Sequence, residues 1–149
     1  MEPRSFLLTM DSNLQDVMLA SCMLRTLMDR LEVQQNEAEM VELCLMEAMV
    51  NTVRHAYRDE SGHEVRLRFH LGESSITFEV EDDGPHASKI TLQDAIERAT
   101  VFDPDDPDSL SEGGRGMLII SQVMDEWDYL EHDGINVLRM RKEFRPEGM

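Results

Sequence analysis

Residues 65–80, VRLRFHLGESSITFEV, decide the fold class. Val65, Leu67, Phe69 and Leu71 alternate with charged or polar side chains, and after Gly72-Glu73-Ser74 the alternation resumes at Ile76, Phe78 and Val80. Side chains along a strand point alternately to opposite faces, so this period of two predicts two antiparallel strands joined by a short turn. One face of that hairpin is apolar and has to be buried against another layer. The flanking sequence supplies the layer. Upstream, Leu14, Val17, Met18, Ser21, Cys22, Leu24, Leu27, Met28 and Leu31 recur at helical spacing, after capping residues at Asp11-Ser12-Asn13. A second helix is expected from about Glu37 to Tyr57, opened by Asn36 and broken by Ser61-Gly62. Residues 5–10, SFLLTM, read as a short strand ahead of both helices.

Downstream, Thr91 to Ala99 suits a short helix, and residues 99–114 combine Pro, Asp, Ser and Gly without an apolar period, as a mobile loop does. A helical pattern resumes from Met117 to Trp127, and Ile135, Val137, Leu138 and Met140 suggest a closing strand, with one or two strands at the end. No internal repeat appears. The order is a strand, two helices, a hairpin, a short helix, a loop, a helix and the final strand or strands. That order suits a mixed sheet covered by helices on one face. The twelve methionines fall mainly at core spacing on the helices, where a thioether fills gaps. Cys22 and Cys44 lie inside the same helical patterns and are expected as small buried hydrophobes.

The 149 residues suit one domain spanning 1–149, and a 41% hydrophobic content suffices for a core. The chain carries 31 acidic side chains against 14 Lys and Arg, a formal net charge of -17. Nucleic-acid affinity depends on neutralising phosphates with basic side chains, so direct nucleic-acid binding and an anionic membrane surface are both disfavoured. A basic protein surface, or an anion escorted by a metal ion, remains compatible because local fields can differ in sign from the total. The opening MEPRSFLLTMDSNL lacks the basic-then-apolar pattern of a secretory signal, and no run is long enough to span a membrane. A cytoplasmic location is the expectation.

Three short patterns carry chemistry. Glu47, Asn51 and His55 recur every fourth residue and so form one polar line on the second helix. A solvated helix face looks the same, but a carboxylate one turn from an amide oxygen also suits Mg²⁺ beside a hydroxyl to be deprotonated. Glu81-Asp82-Asp83-Gly84-Pro85 closes the second hairpin strand. It is either a plain turn or a carboxylate aimed at a ligand amine. Gly113-Gly114-Arg115-Gly116 enters a helix, as a flexible cap or as an anion site whose backbone N–H groups face a phosphate. It is not a Walker A loop, because no Gly-Lys-Ser/Thr follows.

Taken in order, E-x-x-x-N-x-x-x-H-A-Y on a helix, D-x-G after a strand and G-G-R-G before a helix resemble the N, G1 and G2 boxes of the GHKL ATPase superfamily. More narrowly, the chain is similar to bacterial anti-sigma factor serine/threonine kinases of the partner-switching type, over about residues 5–143. The resemblance implies the Bergerat (histidine-kinase-like ATPase) fold, an α+β two-layer sandwich with a mixed, mostly antiparallel sheet and helices on one face. It further implies ATP and Mg²⁺ as cofactors, Glu47 as the general base and Asn51 as the Mg²⁺ ligand. Asp82 would receive the adenine amino group and Gly84 would open the base pocket. Gly113, Gly114 and Gly116 would offer backbone N–H groups to the phosphates, under a lid over about residues 99–113. Arg115 is left with a phosphate contact and a solvent-facing role both open, and His55 would support the pocket rather than take a proton. The acid run Asp103-Pro104-Asp105-Asp106-Pro107-Asp108 in the lid works against tight closure over a triphosphate.

The implied partners are a sigma factor or equivalent regulator and a STAS-domain anti-anti-sigma antagonist, which the enzyme would phosphorylate. A homodimer through the first strand and helix is also implied. The competing reading is a non-catalytic nucleotide-binding switch protein that acts by sequestration alone. Glu47 together with Asn51 favours the enzyme, since a binding module needs no base beside a metal ligand.

Overall fold

The computed structural model describes residues 3–85, 89–100 and 114–144. Its elements run β1 (Arg4–Asp11), α1 (Leu14–Arg30), α2 (Gln35–Asn51) with a π-helical turn (Thr52–Ala56), β2 (Glu64–Leu71), β3 (Ser75–Asp82), α3 (Lys89–Thr100), α4 (Gly114–Val123), β4 (Glu126–His132) and β5 (Ile135–Glu143). The expected lid thus lies outside the described residues except for 99 and 100, which end α3.

The strands form one sheet in the order β1-β2-β3-β5-β4, and all four pairings are antiparallel. The α+β two-layer architecture is as the sequence implies, but among the described residues the sheet is antiparallel throughout and not mixed, because each strand pairs with neighbours that run against it. The hairpin register puts Leu67 opposite Val80 and Phe69 opposite Phe78, whose rings meet edge to face at 5.6 Å. Directly opposed residues share a face, so Val65, Leu67, Phe69, Leu71, Ile76, Phe78, Val80, Leu138 and Met140 make one buried apolar surface. Val17, Leu24 and Met28 of α1, Val41, Leu45 and Met49 of α2, and Met117 and Ile120 of α4 complete the core beneath it. The opposite face carries ion pairs. Glu81, only 8% exposed, accepts from Arg66 Nε at 3.0 Å and from Arg68 Nε at 2.7 Å, and Glu79 lies 3.0 Å from His70 and 3.9 Å from Arg139.

Asn13 is the residue of the predicted capping triplet that caps α1. Its Oδ1 accepts from the Asp16 amide at 2.8 Å, and Asp16 in turn accepts from the Asp11 amide. Ser12 is buried instead, donating to the Glu60 carbonyl at 2.6 Å and so fastening the β1 corner to the segment before β2. The second helix begins at Gln35, ahead of the predicted Asn36 opening, and Gln34 at its N-cap makes no side-chain cap bond.

Four further expectations need correction. The second helix is not α-helical to Tyr57, because its last turn widens into the π form. The helix expected to reach Trp127 stops at Val123, and Trp127 belongs to β4, which pairs with β5 through an Asp133-Gly134 turn with φ of 51° and 79°. That two-residue turn with left-handed φ at both positions matches the twist of a hairpin. Cys44 is fully buried but Cys22 is exposed on α1. Met18, Met23 and Met40 are also exposed, at 61%, 55% and 44%, so the methionines do not serve the core alone.

Candidate functional site

The π turn is where the three patterns converge. The Tyr57 amide donates five residues back to the Thr52 carbonyl at 3.3 Å, and Thr52 Oγ1 donates to the Ala48 carbonyl at 3.2 Å. Arg58 and Asp59 then take left-handed φ values of 51° and 61° and end the helix. π turns inside α-helices recur at functional sites because they re-aim the side chains that follow. Here the turn carries Ala56 under the D-x-G segment. A Cβ on Gly84 would stand 2.7 Å from Ala56 Cβ and 2.8 Å from the Ala56 carbonyl oxygen, so only glycine permits this approach.

Asp82, 7% exposed at the end of β3, is held from two sides. Its Oδ1 accepts from the Gly84 amide at 3.0 Å and from Asn136 Nδ2 at 2.8 Å, and the same Nδ2 donates to the Gly84 carbonyl at 2.8 Å. Asn136 faces Asp82 directly across β3 and β5 and is 1% exposed. One residue further, the Asp83 amide donates to the Tyr57 hydroxyl at 3.0 Å, while that hydroxyl lies 2.8 Å from Asp83 Oδ1 and 2.9 Å from the Glu64 carbonyl. Tyr57 also stacks on His63 with ring centroids 4.4 Å apart and planes nearly parallel. Burial, foremost, pushes the Tyr57 phenol far above its usual range, with the neighbouring Asp83 carboxylate adding to the rise, so it works as a neutral hydroxyl.

One turn before the π segment, Glu47 and Asn51 face the start of α4. A Cβ on buried Gly116 would lie 2.6 Å from Glu47 Oε2 and 3.4 Å from Asn51 Nδ2. The glycine-rich entry of α4 therefore sits directly on the carboxylate and the carboxamide. No acidic side chain occupies the first turn of α4, whose N–H groups and dipole favour an anion there. Asn51 offers a neutral amide oxygen, which fits Mg²⁺ when phosphate oxygens and water complete its shell. Among the described residues no group of three or more His, Cys, Asp or Glu is gathered to hold a metal. Cys44, one turn before Glu47, has its thiol pushed up to about 12 by burial and then by the Glu47 charge, which keeps it from acting as a nucleophile.

The predicted residues are not all gathered equally. Glu47, Asn51 and Gly116 meet, as do Asp82 and Gly84, and the π turn joins the two groups. His55 and Arg115 are both exposed. Gly113 lies outside the described residues, and Gly114 is described only as the first residue of α4. Tyr57 and Asn136 were not among the candidates. Asn136 could have been found from its place two residues before Leu138 and four before Met140, a polar residue on the apolar face of β5.

The model of the family described as histidine kinase-like ATPase domain matches residues 10–142. The chain belongs to that family. It is 30% identical over 112 residues to the serine-protein kinase RsbW of Bacillus subtilis, an alignment covering 72% of this chain and 66% of that one. The match thus spans slightly under two thirds of that relative's length. Among solved structures, the RsbU and RsbW domains of a Mycobacterium tuberculosis protein superpose with a TM-score of 0.65 at 14% identity, over 96% of this chain and 33% of that one. A chain of the SiaB-SiaC complex from Pseudomonas aeruginosa gives 0.56 at 15% identity, over 91% and 88%. At such identities these likenesses concern the fold. The family's fold and the layout described above agree. Among the described residues no helix is long and apolar enough to cross a membrane.

Proposed function

We propose that this chain is an ATP-dependent protein serine/threonine kinase of the anti-sigma, partner-switching type, and that its sites are those the sequence picks out. The observation that carries the reading is the seating of Gly116 on Glu47 and Asn51 while Gly84, tied to Asp82, seats on Ala56 of the same helical run. The groups proposed for base recognition, phosphate binding and proton acceptance thereby all border one helical run, Glu47 to Ala56. Phosphoryl transfer needs little else than positioning and charge stabilisation. Asp82 accepts from the adenine amino group, and the backbone N–H groups at the start of α4 hold phosphate oxygens. Glu47 takes the proton of the partner's hydroxyl as its oxygen bonds to the γ-phosphorus and the bond to ADP breaks. Mg²⁺, held by Asn51, would neutralise charge on the phosphates.

The relative named a serine-protein kinase supports the acceptor class. The resemblance of the three motifs implies a STAS-type antagonist as the phosphorylated partner and a sigma factor or similar regulator as the sequestered one. A homodimer fits the exposed apolar side chains Phe6 and Leu7 on edge strand β1 and Leu14, Met18, Leu19 and Met23 on α1. The test mixes the protein with Mg-ATP and a STAS antagonist and reads phosphoserine or phosphothreonine by mass spectrometry. Transfer by wild type and its loss in Glu47→Ala, with nucleotide affinity kept, is the expected result. Nucleotide and partner binding without any transfer would leave the sequestration-only switch as the correct reading.

A further inference from the structure

Asn136 is fixed in one orientation by its surroundings. Its amide faces two acceptors, Asp82 Oδ1 and the Gly84 carbonyl, both at 2.8 Å, and turning the amide over would set oxygen against oxygen at both places. With its nitrogen so engaged and the side chain 1% exposed, Asn136 cannot swing away without taking a donor from both buried Asp82 and the Gly84 carbonyl. The Gly84 amide closes the ring by donating to the same Asp82 oxygen at 3.0 Å. Two donors on one carboxylate oxygen favour the ionised form, which accepts hydrogen bonds and gives none.

We infer that Asn136 is the positioning residue that sets base selectivity, by holding Asp82 as a fixed, acceptor-only carboxylate that admits a purine bearing an amino group and rejects one bearing a carbonyl at that place. This rests on the nucleotide reading of the site. An acceptor-only group pairs with the amino group of adenine and repels the corresponding oxygen of guanine. Replacing the donor by an acid of the same shape, Asn136→Asp, would set two carboxyls at 2.8 Å, where like charges force them to share a proton. That proton lies between the two carboxyls and the Gly84 carbonyl loses its donor, so Asp82 is no longer held in one setting and the preference for the amino-bearing purine falls. Sites that pair with a polar group discriminate strongly because the wrong partner leaves buried groups unsatisfied.

The experiment measures ATP and GTP affinities of wild type, Asn136→Asp, Asn136→Ser and Asp82→Ala by competition titration, with kcat and KM for antagonist phosphorylation and a thermal melt for each. The ATP-to-GTP preference should fall at least about tenfold in Asn136→Asp, through KM and with kcat at saturating ATP little changed. Asn136→Ser, whose hydroxyl is too short to reach both acceptors, should also lower the preference. If the aspartate variant does not fold, the serine variant carries the test: a preference lower by at least about tenfold supports the proposal, and a preference equal to that of wild type overturns it. A preference unchanged in folded Asn136→Asp, or affinity lost equally for both nucleotides, would overturn the proposal and leave Asn136 a packing residue. Failure of the nucleotide reading itself shows differently, as Asp82→Ala binding ATP as wild type does.

Discussion

Replacing Gly116 by alanine adds a single methyl group where α4 approaches Glu47. The new Cβ would lie 2.6 Å from Glu47 Oε2, whereas ordinary contact begins at 3.4 Å. The obstacle is the far end of a side chain and not backbone, so the carboxylate yields by about 0.8 Å and the helix stays. A misplacement of about 1 Å in a reacting constellation costs on the order of a hundredfold in rate, or about 2.7 kcal/mol of barrier. Stability should move little or in the other direction, because alanine is favoured over glycine in a helix by up to about 1 kcal/mol. Phosphotransfer to a STAS antagonist at saturating Mg-ATP, followed beside a thermal melt and a nucleotide titration, separates these effects. The expected pattern is a kcat lower by roughly thirty- to a hundredfold with an unchanged or slightly raised Tm. A kcat within about threefold of wild type would refute the reasoning, since Glu47 would then work as well from a displaced position.

Further perturbations address the rest of the site and the fold. In Gly84→Ala the added methyl meets backbone of Ala56 at 2.8 and 3.0 Å, which cannot swing aside, so both nucleotide affinity and stability should fall. An overpacking cost of about 1–3 kcal/mol corresponds to a Tm lower by several degrees in calorimetry. Tyr57→Phe leaves the Asp83 amide without its hydroxyl acceptor and should lower the unfolding free energy read from a urea titration by about 1–3 kcal/mol, with the sheet intact by circular dichroism. Hydrogen bonds from Asn13 first, and from the Gly62 amide next, hold the Asp11 carboxyl below its ordinary range in the folded chain. Its stabilising effect is therefore complete above the ordinary carboxylate pKa and is lost as pH falls through the folded value, so wild type and Asp11→Asn should converge in acid unfolding curves. Met18→Glu places a charge on the exposed apolar face of α1, 61% exposed, and should shift a dimer to monomer in sedimentation without lowering Tm at low concentration.

What was legible follows the strength of local signals. The β2–β3 hairpin and α1 declared themselves because one face of each is apolar at a fixed period, and the structure buries those faces. The stretch from Met117 to Trp127 misled because Met117, Ile120, Met124 and Trp127 keep helical spacing past the end of α4 at Val123. The better signal was the Asp133-Gly134 pair, which marks a hairpin and requires a strand on each side of it. The π turn was not legible, since one shifted hydrogen bond leaves no mark in composition. Glu47, Asn51, Asp82 and Gly84 stand out in the sequence as separate motifs because their spacing is recognisable. Asn136 is marked locally only as a polar residue on the apolar face of β5; its bond to Asp82, 54 residues away, and that of the Tyr57 hydroxyl to Asp83, 26 residues away, belong to no local pattern.

The widened turn at Thr52–Ala56 makes the distance along the chain between Asn51 and Tyr57 a fixed quantity. Each residue of an α-helix advances the following side chains by about 100°. Deleting one residue here would restore a regular helix but swing Ala56 out from beneath Gly84 and carry the Tyr57 hydroxyl away from Asp83. Inserting one would do the same in the opposite sense. The segment therefore tolerates changes of side chain far better than changes of length, and members of this family that diverge widely in identity should still agree in the number of residues they place between the carboxylate of α2 and the end of the turn.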